Sequence, residues 1–100
     1  MLLLPATVTL AEARDALRML AQAVPGQPGA ELTIDAAQLR RFDTSALAVL
    51  LECRRIAQAD GRAFAVRNVP QQLTALAALY GVGGLLFGGE AEPAARVAGD

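Results

Sequence analysis

Three consecutive polar residues, Asp43, Thr44 and Ser45, are the part of the sequence best suited to recognition or chemistry. Each of them can cap a helix, because its side-chain oxygen can accept a hydrogen bond from a free N–H group of the first turn. One cap needs only one such residue, so hydroxyl groups remain for a partner. A phosphate on Ser45 would be favoured by the positive end of the helix and opposed by the Asp43 carboxylate. We expect a functional turn, and a purely structural cap is the alternative.

The elements around this turn predict an α/β domain. The turn begins an apolar-periodic helix that ends at Asp60 and Gly61, and short aliphatic runs over residues 32–34 and 64–66 flank it. The order strand, polar turn, helix, glycine, strand is typical of a mainly parallel sheet with helices packed on it. Partner sites in such sheets gather at the carboxyl ends of strands, where this turn is expected to lie.

The N-terminal third of the chain predicts one short strand and one amphipathic helix. Residues 1–4 form the strand. Thr9 and Glu12 have the spacing of a capping box, and the helix they begin runs to about residue 24. Five residues at helical spacing make its apolar face: Leu10, Ala13, Leu17, Leu20 and Val24. The strand over residues 31–35 shows little polar alternation, so we expect both of its faces to be covered.

The C-terminal part predicts a strand over residues 62–69 and a helix that begins near Pro70 and ends at Gly81. The apolar face of this helix contains Leu73, Leu76, Ala77 and Tyr80. Residues 83–87 predict a last short strand. The composition from there on predicts a frayed end, so we divide the chain into a domain over residues 1–88 and a flexible tail over residues 89–100.

The composition argues against several classes of function. The net charge of −1 and the lack of a basic block leave nothing electrostatic for nucleic-acid binding. There is no histidine, and the only cysteine, Cys53, falls inside the central helix, where we expect it to be buried. We therefore expect no catalytic residues, no metal site, no cofactor and no enzymatic activity. The sequence has neither a membrane-spanning apolar stretch nor the features of a signal peptide, which predicts a cytoplasmic protein without direct membrane insertion.

The central helix carries two apolar groups on a helical wheel. The core side is formed by Ala46, Val49, Leu50, Cys53, Ile56 and Ala57. Leu47 and Leu51 fall on a partly exposed flank beside Arg54. Leucines next to an arginine suit a protein contact, and the alternative is that neighbouring elements cover the two leucines.

About half of the chain, IDAAQLRRFDTSALAVLLECRRIAQADGRAFAVRNVPQQLTALAALYGV, resembles a STAS domain. Members of that family share a hydrophobic strand, an aspartate–hydroxyl–hydroxyl turn, a long amphipathic helix, a polar glycine turn, a strand and a further helix. The resemblance implies a STAS-like fold with a shortened N-terminal region, because one strand is predicted where many members have two. The glycine that usually follows the hydroxyl pair is Ala46 here.

The DTSAL form of the turn and the LAALYGV segment are most similar to the STAS subunits of bacterial ABC transporters that traffic phospholipids. This resemblance implies a non-catalytic subunit that maintains outer-membrane lipid asymmetry by binding the cytoplasmic ATPase, itself complexed with a membrane permease, at the inner membrane. It places Thr44 at the ATPase contact, and the predicted contact residues are Asp43, Thr44, Ser45, Leu47, Leu51 and Arg54.

The alternative within the same family is an anti-sigma factor antagonist. Its partner would be a kinase-type anti-sigma factor, and the resemblance would make Ser45 the phosphorylated residue. A homodimer is left open by either hypothesis.

Overall fold

Short strands and longer helices alternate along the chain, and a computed structural model describes residues 1–87. The strands are β1 (Leu2–Leu3), β2 (Thr7–Val8), β3 (Glu31–Asp35), β4 (Arg41–Phe42) and β5 (Ala63–Arg67). The helices are α1 (Leu10–Ala23), α2 (Thr44–Ala59), α3 (Gln71–Leu79) and α4 (Gly83–Phe87), and a 3₁₀ turn (Val24–Gly26) follows α1. The predicted tail and residue 88 lie outside the described residues.

The strands form two parallel sheets. Three of them pair in the order β1-β3-β5, with Leu2 opposite Ile34 and Ile34 opposite Val66. The other two, β2 and β4, pair with Thr7 opposite Arg41. Helices connect the paired strands, as parallel pairing requires. The predicted α/β class with a mainly parallel sheet is confirmed.

The small β2–β4 sheet was missed by the sequence prediction, which placed one strand in the N-terminal region. Two-residue strands are too short to show alternation, so periodicity could not reveal them. Backbone bonds hold the two segments together: the N–H groups of Arg40 and Arg41 donate to the carbonyl oxygen of Ala6 at 2.7 and 3.0 Å. The N-terminal region therefore holds two short strands.

The core lies between the three-stranded sheet and the helices. In β3, Leu32 and Ile34 are buried whereas Thr33 and Asp35 are only partly covered, so the expectation of two covered faces is wrong. Helix α2 contributes six buried residues: Ala46, Leu47, Val49, Leu50, Cys53 and Ala57. Burying a leucine of this kind contributes roughly 1.5–3 kcal/mol, so α2 is a main source of stability.

The predicted end of the central helix is confirmed. Asp60 directly follows the last residue of α2, and its N–H donates to the carbonyl oxygens of Ile56 and Ala57, both at 3.1 Å. Gly61 then adopts a φ of 72°, a left-handed conformation that glycine takes without the steric cost of a side chain. The chain thereby turns directly into β5.

Three predictions about the apolar segments need correction. Residues 83–87 form helix α4 rather than a strand, with the N–H of Leu86 donating to the carbonyl oxygen of Val82 at 3.2 Å. A run of five residues is too short for periodicity to distinguish the two. Leu10 and Tyr80, assigned to apolar faces, are 79% and 59% exposed. Leu10 is the first residue of α1, and Tyr80 directly follows the last residue of α3.

Candidate functional site

Helices α1 and α2 begin side by side. Strand β2 leads into α1 and strand β4 leads into α2, and these two strands are paired in parallel. Both helices therefore start from the same end of this small sheet, and they pack against each other beyond it. The polar turn of the sequence, Asp43 to Ser45, lies at this shared start.

Asp43 caps both helices. Its Oδ1 accepts a hydrogen bond from the N–H of Ser45 at 2.8 Å, which caps α2, and its Oδ2 accepts one from the N–H of Leu10 at 3.1 Å, at the start of α1. The bond from the Ser45 N–H is the main cause that lowers the pKa of the Asp43 carboxyl. Asp43 is therefore an ionised structural link between the helices.

The capping box predicted at the start of α1 is also present. Glu12 Oε1 accepts hydrogen bonds from the Thr9 hydroxyl and, at 3.2 Å, from the Thr9 N–H. The hydroxyl bond is the main cause that lowers the pKa of Glu12, and Arg41 lowers it further. Both carboxylates at this end thus accept hydrogen bonds from residues at the helix starts.

The two hydroxyl residues of the turn differ in accessibility. Thr44 is exposed, whereas Ser45 is half-buried and its N–H already bonds to Asp43. Among residues 1–87, no hydrogen-bond partner is found for the Thr44 hydroxyl. Thr44 is therefore the hydroxyl that a partner reaches without any rearrangement.

The partly exposed flank that the helical wheel predicts along α2 is confirmed for only some of its residues. Leu47 is 4% exposed, so its assignment to a partly exposed flank is wrong. Leu51 and Arg54 are half-buried, and the Arg54 Nη1 donates to Gln58 Oε1 at 3.2 Å. The wheel could not include α4, which packs against α2. Coverage by neighbouring elements is the correct interpretation for Leu47.

Cys53 is buried, as predicted. Its removal from solvent raises the pKa of the thiol to about 11, with a smaller contribution from Glu52. The thiol therefore stays protonated at neutral pH, and a thiol is a poor nucleophile in that form.

Two further groups of polar side chains in the described part of the chain are hydrogen-bonded among themselves. At the far end of α1 and α2, a groove of about 530 Å³ contains Arg62, which pairs with Asp60 at 3.0 Å and donates to the Val24 carbonyl at 3.4 Å. At the carboxyl ends of β3 and β5, Asp35 Oδ1 accepts from the Asn68 amide at 3.0 Å. Residues 1–87 contain no cluster of three or more metal-ligating side chains.

The sequence interpretation missed Leu10 as a neighbour of the polar turn. Its N–H bond to Asp43 joins residues 33 positions apart, and no local pattern encodes a contact of that range. The only signal in the sequence was that Leu10 is an apolar residue in the first turn of α1, where side chains are often outside the core.

A family model described as "Mlab, STAS domain" matches residues 3–87. The chain belongs to this STAS domain family. The match runs from β1 to α4, so it extends well beyond the central half that carried the resemblance, and it confirms the STAS-like fold. No curated protein is significantly similar to the chain. The helices that the structure describes include none that is both long and apolar enough to cross a membrane.

Proposed function

We propose that this STAS domain is a non-catalytic accessory subunit that binds the cytoplasmic ATPase of an ABC transporter. In this proposal the transporter traffics phospholipids and maintains the lipid asymmetry of the outer membrane. Membership in the family described as "Mlab, STAS domain" supports it. The observation that carries it is the exposed Thr44 at the start of α2, in the position that the resemblance assigns to the ATPase contact.

The surroundings of Thr44 suit a preformed contact. Asp43 ties the first turn of α2 to the first turn of α1, so the backbone beneath Thr44 is held from two sides. A surface that is already ordered loses little conformational entropy when a partner binds. Leu51 and Arg54, half-buried further along α2, would form the edge of the contact. Buried Leu47 would support it from below.

The proposed role also implies a location for the protein. The ATPase would hold the STAS domain at the inner membrane through the permease, so the chain would be cytoplasmic and peripheral to the membrane. Its contribution would be to support assembly and activity of the ATPase through contact, without chemistry of its own.

Co-purification with the ATPase tests the proposal. The wild-type chain should recover the ATPase and permease encoded in the same genome, and Thr44→Arg should abolish this recovery, because a long charged side chain replaces a small one at the contact. Thr74→Arg is the matched control, since Thr74 is also exposed but lies on α3. Circular dichroism should show that both variants are folded. Failure of the wild-type chain to recover an ATPase would refute the function, and full recovery by Thr44→Arg would refute the contact.

The anti-sigma antagonist hypothesis receives less support from the geometry. Ser45, the residue it requires as phosphoacceptor, is half-buried, and Asp43 already accepts its N–H. A phosphate on Ser45 would have to compete with a carboxylate of like charge for the free N–H groups of the first turn. Recovery of a kinase-type anti-sigma factor that is released by Ser45→Asp would favour this alternative.

A further inference from the structure

Leu10 is the most exposed large apolar residue of residues 1–87, at 79%. A single exposed leucine is common on protein surfaces, so exposure alone is no argument. Its location is informative, because its N–H bonds to Asp43, the residue directly before Thr44. The exposed leucine therefore adjoins the turn for which a partner contact is proposed.

The side of α1 that carries Leu10 faces α2. Arg14 follows Leu10 by four positions and is exposed on the same side of the helix. Ala21, three turns after Leu10 on this side, lines the groove that Ile56 and Ala59 of α2 complete. Leu10 and Arg14 thus lie along the junction of the two helices.

Helix α2 continues this exposed strip. Ala48 follows Thr44 by one turn, and both residues are exposed. Ala48 has a short side chain, so it allows a partner to approach the helix backbone closely. We name the four residues Leu10, Arg14, Thr44 and Ala48 the helix-pair surface.

Charges of both signs lie near the helix-pair surface. Glu12 and Asp43 accept hydrogen bonds from Thr9, Ser45 and Leu10. Arg41 is close enough to Glu12 to lower the pKa of that carboxyl. Arg14 is exposed and forms no ion pair within the part of the chain that the structure describes, so it is available to a carboxylate of a partner.

We propose that the ATPase contact extends from Thr44 across to α1, and that the helix-pair surface docks where the ATPase presents a carboxylate to Arg14 beside an apolar pocket for Leu10. This inference rests on the proposed function and specifies the chemistry of its interface.

The first test replaces Leu10 without disturbing the core. Leu10→Ser should weaken binding to the purified ATPase by about tenfold or more, as loss of a buried apolar anchor does. Leu79→Ser is the matched control, because Leu79 is 77% exposed on α3 and should bind within about twofold of wild type. Calorimetric titration gives the affinities.

The second test addresses charge. Arg14→Glu should weaken binding by about tenfold and reduce the loss of affinity at high salt, because a pair with an ATPase carboxylate is replaced by repulsion. Arg18→Glu is the control, since Arg18 lies one turn further along and pairs with Asp15 at 3.6 Å. Wild-type affinity for Leu10→Ser and Arg14→Glu, with Thr44→Arg inactive, would overturn the extension and leave the proposed function standing. A wild-type chain that binds no ATPase but forms a dimer that Leu10→Ser dissociates would overturn both.

Discussion

Asp43 Oδ2 accepts a hydrogen bond from the backbone N–H of Leu10 at 3.1 Å, and Asp43 Oδ1 accepts one from the N–H of Ser45 at 2.8 Å. One side chain therefore satisfies a free donor in the first turn of each of two helices. Capping bonds usually stabilise the helix that contains them, whereas this one also fixes the position of α1 relative to α2. The proposed contact surface depends on that relative position.

Replacing the Asp43 carboxylate should loosen both helix starts. Asp43→Asn keeps one acceptor oxygen but turns the other into an NH₂ group, which cannot accept the second N–H. We expect the melting temperature to fall by several degrees, and by more for Asp43→Ala, as loss of a helix cap produces in small domains. Asp15→Asn is the control, because Asp15 makes only a long ion pair on the surface. Circular dichroism monitors the melting. Equal melting temperatures for all variants would contradict the role of Asp43 as a link between α1 and α2.

The same carboxyl should make stability depend on pH in the acidic range. Its pKa is lowered from the ordinary value of 3.8, so the folded state binds the proton more weakly than the unfolded state does. This contribution is present above pH 3.8 and is lost as the pH falls through the lowered pKa of the folded state. Urea titrations between about pH 6 and about pH 3 should show a smaller loss of stability for Asp43→Asn than for wild type. Glu12, Asp35 and Glu52 also have lowered pKa values and should preserve part of the slope. Identical slopes in the two proteins would argue against the assignment.

The two leucines once assigned to the same flank of α2 should behave differently. Leu47→Ala removes a buried side chain and should lower the free energy of unfolding by about 2–5 kcal/mol. Leu51→Ala, at a half-buried position, should lower it by about 1 kcal/mol or less, in line with its smaller buried area. Urea denaturation measures both, and similar losses would show that Leu51 belongs to the core as well.

Cys53 should be inert in the folded protein. Its thiol is buried and its pKa is raised to about 11, so a thiol-specific reagent should label it only when the chain opens. Labelling should become fast in urea, and Cys53→Ser should cost roughly 1–3 kcal/mol because a more polar hydroxyl is buried in place of the thiol. Cys53→Ala is the control for the loss of the sulfur alone. Rapid labelling of the native protein would mean that α2 opens locally.

Asn68 should matter through both its backbone and its side chain. It has a φ of 56°, and its amide donates to Asp35 at 3.0 Å. Asn68→Gly adopts the left-handed conformation easily and loses only the hydrogen bond from the side-chain amide to Asp35. Asn68→Ala loses the same hydrogen bond and must also adopt a left-handed conformation that is unfavourable for alanine. We therefore expect Asn68→Ala to be less stable than Asn68→Gly by about 1–2 kcal/mol in denaturant titrations. The opposite order would show that the conformation of residue 68 is not strained.

Local patterns in the sequence predicted what depends on neighbouring residues. The capping box at Thr9, the start of α2 at Asp43 and its end at Gly61 are encoded within one or two turns, and all three are confirmed. The burial of Cys53 followed from its place on the apolar side of the wheel. The parallel sheet followed from the alternation of elements.

Long-range packing explains what the sequence did not predict. Leu47 was misplaced because a single-helix wheel contains no information about α4, and α4 itself was taken for a strand. The bond between Leu10 and Asp43 was invisible because it depends on the pairing of β2 with β4, two strands of two residues each. The role of Asp43 as the cap of α2 and the existence of α1 were predicted, but the hydrogen bond from Leu10 of α1 to Asp43 was not.

The parallel pairing of every described strand has a consequence for how the chain folds. Each pairing spans at least one helix: β1 joins β3 and β2 joins β4 across α1, and β3 joins β5 across α2. Residues 1–87 offer no hairpin that could form from adjacent segments and act as a local nucleus. Loop-closure entropy must therefore be overcome before any strand gains a partner. We expect this domain to fold more slowly than a helical bundle of its size, with strand–helix–strand units as the earliest stable structures.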